Sequence, residues 1–210
     1  MRFLIQSSIG LIIVFCLFAH QKACAQPVSL QVPNIVSTKY KASIDVIGKH
    51  LSGILIFKMQ EDSSIRTVFI NEMGVTFFDI TFYENTYQWN TIMESMDKKA
   101  VKISLAKDLG MILMKGIFVK KPAIAAANIQ ELPANTPFVI EKKLKRKGIV
   151  KYYLLSGSHE IPQIENYGRK KKVISITQKY KDKNSMPDSI FVQHHTVPFT
   201  ISLKHLHVTE

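Results

Sequence analysis

The sequence predicts a β-rich α+β fold: a single curved antiparallel sheet, or open β-barrel, of about ten or eleven strands, with one long and one short helix in the middle of the chain. In the first half, short runs rich in β-branched and aromatic residues alternate with turn residues. One apolar stripe at helical spacing follows, and the alternation of strand-like runs and turns then resumes. Because strands flank the helix on both sides in the sequence, we expect one sheet wrapped around or against the helix, not two domains.

Residues 1–25 have the pattern of an export signal. Arg2 supplies a positive charge, an apolar stretch follows, and Ala23-Cys24-Ala25 is the small-x-small pattern that signal peptidase cleaves. The densest apolar run, Ile9–Ala19, has 11 residues, whereas a helix that spans a membrane needs about 20. We therefore expect cleavage after Ala25, not an uncleaved anchor, and export to the periplasm.

Cys24 offers an alternative, in which an acyl group on this cysteine anchors the protein at the periplasmic face of the outer membrane. A lipidation signal has an apolar residue three positions before the cysteine and small residues between them. Gln21, Lys22 and Ala23 match that pattern poorly, so cleavage after Ala25 is the favoured prediction. That cleavage removes both cysteines of the chain, and with them thiol catalysis, disulfides and thiolate metal sites.

The first group of strands is predicted to be an antiparallel meander. Residues 26–38 contain two prolines and are predicted to form an extended N-terminal segment, with residues 39–210 as a single domain. The predicted strands are Lys39–Ile47, His50–Gln60, Ile65–Asn71, Val75–Tyr83 and Thr86–Ile92. One face of the second strand is formed by Leu51, Gly53, Leu55, Phe57 and Met59.

The period of the apolar residues changes after Asp97, which is a residue type that caps helix N-termini. The new spacing of three and four predicts a helix over about Lys98–Met114, and the apolar run Ala123–Ile129 between prolines is the predicted short helix. The helical stripe consists of Val101, Leu105, Leu109 and Ile112. The strands predicted after it are Phe138–Leu144, Ile149–Ser156, His159–Tyr167, Lys172–Tyr180, Ser189–His195 and Val197–Thr209.

Two segments carry a resemblance: LSGILIFKMQEDSSIRTVFINEMGVTFFDITF at Leu51–Phe82 and MPDSIFVQHHTVPFTISLKHLHV at Met186–Val208. In the first, a strand pair with an early glycine leads to a turn glycine, and in the second a proline-led strand has a hairpin partner. In these features the chain resembles bacterial envelope proteins related to the LolA/LolB lipoprotein-carrier superfamily. The resemblance implies an open β-barrel covered by helices that holds acyl chains in an apolar cavity, with lipids or lipoproteins as partners.

The positive charge of the chain is concentrated in its second half. The formal charge is +12, and residues 141–183 contain 13 Lys and Arg against 4 Asp and Glu. If neighbouring hairpin turns converge on one rim, their cations attract an anionic membrane surface by about 1 kcal/mol per lysine. A solvated edge that prevents strand pairing with other molecules is the alternative, and nucleic acid is not expected as a partner of an exported chain. The candidate residues are Lys142, Lys143, Lys145, Arg146, Arg169, Lys170, Lys171 and Lys172.

Several predicted strands carry apolar residues on both faces, which leaves an apolar surface beyond what one helix covers. Such a surface is typical of a concave ligand site with few polar anchors, and the alternative is that it forms an ordinary core. The candidate ligand-binding residues are Leu55, Phe57, Phe69, Phe77, Trp89, Leu105 and Leu109.

The sequence gives no sign of a metal centre or a catalytic site. His205 and His207 share a strand face, but no carboxylate stands at a matching spacing, so neither a metal nor another cofactor is expected. Asp45, Glu72 and Asp79 are isolated carboxylates, and no serine lies in a nucleophile elbow. We therefore do not expect an enzyme.

The function predicted from the sequence is that of a non-enzymatic envelope protein that binds or carries a lipid or acyl chain in an apolar cavity. A structural or assembly factor of the cell envelope with no ligand is the alternative, and a hydrolase is a distant third.

Overall fold

The protein is described by a computed structural model that covers residues 37–46, 48–115, 137–144, 148–155, 160–169, 171–181 and 186–207. The predicted leader, the Cys24 lipidation site, most of the extended segment and the short helix at 123–129 lie outside these residues. The strands are β1 (Ser37–Val46), β2 (Lys49–Met59), β3 (Ile65–Ile70), β4 (Thr76–Phe82), β5 (Tyr87–Ile92), β6 (Pro137–Leu144), β7 (Gly148–Leu155), β8 (Gln163–Tyr167), β9 (Lys172–Lys179), β10 (Ser189–His194) and β11 (Phe199–His205). A 3-10 turn (Glu94–Met96) and the helix α1 (Lys99–Ile112) separate β5 from β6 in the chain.

All eleven strands form one antiparallel sheet in the order β5-β4-β3-β2-β1-β11-β10-β9-β8-β7-β6. The chain builds one half of the sheet outward from β1 to β5, passes through α1, and builds the other half inward from β6 to β11. The first and last strands therefore meet in the middle, and β5 and β6 are the two edges of an unclosed, curved sheet. This confirms the predicted fold class.

One face of the sheet is apolar along the central strands. In β1 every second residue is buried, and the pairing places Leu55 of β2 opposite Tyr40 and Leu203 of β11 opposite Ala42. Because side chains alternate between the two faces of a strand, this register puts the apolar residues of neighbouring strands on one side. We call that side the inner face.

Gly53 lies where the sheet has no room for a side chain. Its partner in β1 is Ala42, and a Cβ atom at residue 53 would collide with the backbone carbonyl oxygen of Ile70 on β3. At the same residue of β3 the register against β4 shifts, with Phe77 as the extra residue of β4.

Helix α1 begins one residue later and ends two residues earlier than predicted. The prediction that Asp97 caps it is wrong: the N-cap position is Lys98, and the carboxylate of Asp97 instead forms an ion pair of 2.5 Å with Lys102. Beyond the helix, Lys115 approaches the turn oxygen of Ser63 and the carboxylate of Glu84. Of the helices within the described residues, none has the length and hydropathy needed to cross a membrane.

Candidate functional site

The inner face under β2–β5 is lined by aromatic rings that contact one another. The ring centroid of Phe69 lies 4.8 Å from that of Phe77 and 5.5 Å from that of Phe78. The ring of Phe78 lies 5.9 Å from the indole of Trp89, edge to face. Such offset and edge-to-face pairs are the arrangements that aromatic rings favour.

The structure brings the predicted ligand-binding residues into one hydrophobic core that includes this aromatic half. Six of them are buried, with exposures between 0% and 8%, and Trp89 on the edge strand is partly buried against the same cluster. Two of the six, Leu105 and Leu109, come from α1, and the predicted helical stripe is buried there as a whole. The inner face and the helix therefore share one apolar core.

The half of the inner face under β8–β10 is more polar, and α1 contacts it through two side chains. The Nζ atom of Lys107 donates to Oδ1 of Asn166 at 2.5 Å, and a hydrogen bond of 2.7 Å joins Nε2 of His194 to Oδ2 of Asp108. Asn166 also donates from Nδ2 to the carbonyl oxygen of Ile149 on β7. These bonds fix the helix to the second half of the sheet.

Asp108 is the most deeply buried carboxylate among the described residues, with a side chain that is 0% exposed. Burial raises the pKa of its carboxyl, although His194 and Lys107 oppose that effect. Burial also lowers the pKa of the Lys107 amine, opposed by Asp108. Within the described part of the chain, Oδ1 of Asp108 has no hydrogen-bond partner, which is unusual for a buried polar atom.

Lys142 on edge strand β6 is a cation on the inner face. It pairs with Val150, whose side chain is buried, and its Nζ atom lies 5.3 Å from the ring centroid of Tyr152. The side chain is partly buried, and burial lowers the pKa of its amine, opposed by the charge of Glu84.

The other predicted membrane-contacting cations face outward or lie outside the described residues. Lys143, Arg169, Lys171 and Lys172 are exposed, and the structure does not describe residues 145, 146 and 170. The last residues of β6 and of β8 lie at the same end of the sheet, because one antiparallel strand separates these two strands. We call Arg169, Lys171 and Lys172, which lie around the β8–β9 turn, the basic rim; Lys142 is separated from it by its inward direction.

A buried carboxylate on the outer face, Glu165, is a feature that the sequence analysis missed. Its oxygens accept hydrogen bonds from the hydroxyls of Tyr153 and Tyr167 and from Nζ of Lys172, at 2.7 to 2.8 Å. Burial raises the pKa of Glu165, but the bonds from Lys172, Tyr153 and Tyr167 outweigh burial and lower it to about 2. This cluster holds β7, β8 and β9 together.

Two carboxylates that the sequence analysis took as isolated have partners. Asp79 accepts bidentate hydrogen bonds from Arg66 and a further one from Asn90. Asp45 accepts a hydrogen bond of 2.7 Å from the ring of His50. These are structural contacts between neighbouring strands.

Two of the histidines near the end of the chain lie together: the ring centroids of His205 and His207 are 4.4 Å apart, edge to face. The ring of His205 packs on Tyr40, His207 bonds Asp188, and His195 lies 2.9 Å from the hydroxyl of Ser175. The described residues contain no group of three His, Cys, Asp or Glu side chains that could hold a metal ion.

An open groove of about 440 Å³ lies at the β2–β3 turn, lined among the described residues by Lys58, Met59, Gln60, Glu61 and Asp62. Four of these five residues have polar side chains, and none of the five is a predicted ligand-binding residue.

Within the described residues, the fold and its interior define a class: an unclosed antiparallel β-barrel with the helix α1 packed against the apolar inner face. No family model and no curated protein matches the sequence. Among solved structures, the chain is similar to a DUF1329 family protein from Desulfovibrio piger, with 10% identity, 84% of this chain and 86% of that one covered, and a TM-score of 0.49. It is also similar to a putative outer membrane lipoprotein-sorting protein domain from Vibrio parahaemolyticus, with 9% identity, coverage of 81% and 83%, and a TM-score of 0.45. At these values the similarities concern the course of the chain and carry no statement about ligand or activity.

Proposed function

We propose that this chain is a non-enzymatic binding or carrier protein of the bacterial envelope that takes up an acyl chain, or a similar lipid, between α1 and the inner face. The observation that carries the proposal is the difference in size between the wide sheet and the short helix packed against it. Eleven strands at about 4.8 Å spacing span roughly 50 Å, whereas a helix of 14 residues is about 21 Å long and roughly 10 Å wide. Helix α1 can therefore cover only part of the inner face.

The manner in which α1 is held supports uptake beneath it. Against the second half of the sheet, the helix is fixed by the polar side chains of Lys107 and Asp108. Polar groups can exchange their protein partners for water, at a net cost of about 1.5–3 kcal/mol for a hydrogen bond to a charged group. The helix can thus separate from this half at these two side chains without losing an apolar contact there.

A structural or assembly role without a ligand is the second candidate. The observation that favours it is the packing of the predicted ligand-binding residues against one another, with six of them at most 8% exposed. In that case the aromatic half is a permanent core, and the interior admits no acyl chain.

Two measurements distinguish the candidates. Native mass spectrometry of the gently purified protein detects a lipid that is carried through purification. Titration with a fluorescent fatty acid detects uptake by the empty protein. A carrier gives a lipid adduct or a saturable fluorescence increase, and absence of both overturns the proposal in favour of the structural role.

The basic rim indicates which end of the protein would face the membrane. Arg169 and Lys171 present exposed cations at one end of the sheet, and each contributes about 1 kcal/mol near an anionic leaflet. We propose that this end faces the membrane from the periplasm and that a lipid enters or leaves the protein there.

A further inference from the structure

Lys142 differs from the other partly buried cations in its partners. Lys102, Lys115 and Lys151 each lie close to a carboxylate, and Lys107 bonds the amide oxygen of Asn166. Within the described residues, no carboxylate forms an ion pair with Lys142, and its neighbour is the face of the Tyr152 ring. A cation–π contact of this kind attracts the ammonium weakly compared with an ion pair.

The strand neighbours of this ammonium are apolar, and the charge of Glu84 acts on it without forming an ion pair. Along β6 the inward residue before it is Ile140, which is buried, and across the pairing lie Val150 and Tyr152, which are 1% and 2% exposed. An ammonium in such a place lacks much of its hydration and is stabilised by any oxyanion that reaches it. Aliphatic side chains can contact an alkyl chain, and the cation beside them can bind an anionic group at the end of that chain.

We propose that Lys142 is the head-group contact of the carried ligand and that this ligand is an anionic amphiphile, with a carboxylate or phosphate at the end of an acyl or alkyl chain. The inference rests on the proposed carrier function and narrows its ligand class. Because β6 is an edge of the unclosed sheet, the head group lies at the margin of the interior while the chain extends over Ile140 and Val150.

The adjacent residue provides a matched control. Lys143 has the same charge and length, lies next to Lys142 in the same strand, and is exposed on the opposite face. The variants Lys142→Met and Lys143→Met therefore remove the same charge from the chain, and only the first removes it from the inner face. Thermal unfolding establishes that both variants are folded.

The probes are cis-parinaric acid and its methyl ester, which differ only in the charge of the head group. We expect K142M to raise the Kd of the acid about tenfold, equivalent to about 1.4 kcal/mol, and to leave the Kd of the ester unchanged. K143M should leave both values unchanged. A long-chain alkyl phosphate that competes with the acid in the wild type and loses this ability in K142M would show that the site accepts phosphate as well as carboxylate.

Three results would overturn the inference: an unchanged Kd for the acid in K142M, an equal loss for the acid and the ester, or an equal loss in K143M. All three results require that the wild-type protein binds the probe, so none of them contradicts the proposed carrier function. If the wild type binds neither the acid nor the ester, the carrier function fails and the inference fails with it.

Discussion

The ring of His194 on β10 and the carboxylate of Asp108 on α1 are joined by a hydrogen bond of 2.7 Å, and their side chains are 6% and 0% exposed. A buried ionisable pair that links two elements makes their packing depend on its protonation. The ring of His194 also stacks on Phe199 at 4.6 Å, so the pair is continuous with the apolar core.

The first prediction concerns the pH dependence that Asp108 confers. Burial raises the pKa of this carboxyl above its ordinary value of 3.8, so the folded protein retains the proton to a higher pH than the unfolded chain does. Its contribution to stability is therefore lost as the pH rises from about 4 through the folded pKa. Asp108→Asn keeps an acceptor oxygen for His194 but cannot ionise. We expect the melting temperature of D108N, relative to wild type, to increase between pH 4.5 and pH 8.

The control for this experiment is Asp97→Asn, because Asp97 is about half exposed. Its melting temperature relative to wild type should vary little over the same range. A difference between D108N and wild type that stays constant or shrinks as the pH rises would contradict the prediction.

The second prediction has the opposite sign and concerns Glu165. Its pKa is lowered from 4.5 to about 2, so its stabilising contribution is present above pH 4.5 and is lost as the pH falls toward 2. Glu165→Gln should destabilise the protein by about 2 kcal/mol at pH 7, the scale of a hydrogen bond to a charged group. Chemical denaturation at pH 7 and pH 3 should show that this deficit shrinks with acidification. Glu141→Gln, at a carboxylate that is about half exposed, should cost less than 1 kcal/mol.

The third prediction compares two positions of α1. Leu105 is fully buried, whereas Ile103 is 38% exposed. Leu105→Ala should lower the free energy of unfolding by about 2–5 kcal/mol through the cavity it leaves, and Ile103→Ala by about 0.5 kcal/mol at most. Under the carrier function, L105A also weakens uptake of the fluorescent fatty acid, and I103A does not. Equal uptake by the two variants would place the ligand away from Leu105.

The fourth prediction tests the basic rim. Arg169→Glu combined with Lys171→Glu should reduce cosedimentation with vesicles of anionic lipid and leave the low binding to zwitterionic vesicles unchanged. The wild-type binding should fall steeply as salt is raised, because salt screens exposed charges. Lys58→Glu, at an exposed lysine near the opposite end of the sheet, is the control. An equal loss of binding in the control would show that net charge matters and the rim does not.

The alternation of side chains made most of the fold predictable. The inward face of β2 and the apolar stripe of α1 follow from spacings of two and of three or four, and both agree with the structure. Asp97 did not predict the start of α1 correctly, because its carboxylate forms an ion pair with Lys102 and does not cap the helix.

The same spacings could have identified the inward polar residues. Asp108 stands three residues after Leu105 on the apolar side of the helix, and His194 and Lys142 each stand two residues after an inward aliphatic residue. A charge on an apolar face is rarely buried without a partner. No local pattern predicts which partner such a charged side chain contacts, because the partner depends on the pairing of strands that are remote in the chain.

That remote pairing has a consequence for how the molecule acquires its shape. Each half of the sheet grows by hairpins between successive strands, whereas the seam between the halves joins β1 to β11. At this seam Tyr40 bonds the carbonyl oxygen of Pro187, 147 residues away in the chain. Closing so long a loop is slow compared with forming hairpins. The two halves of the sheet should therefore form before β11 pairs with β1. Until that pairing forms, β1 is an exposed edge strand at which the chain can aggregate, and a chaperone would need to shield it.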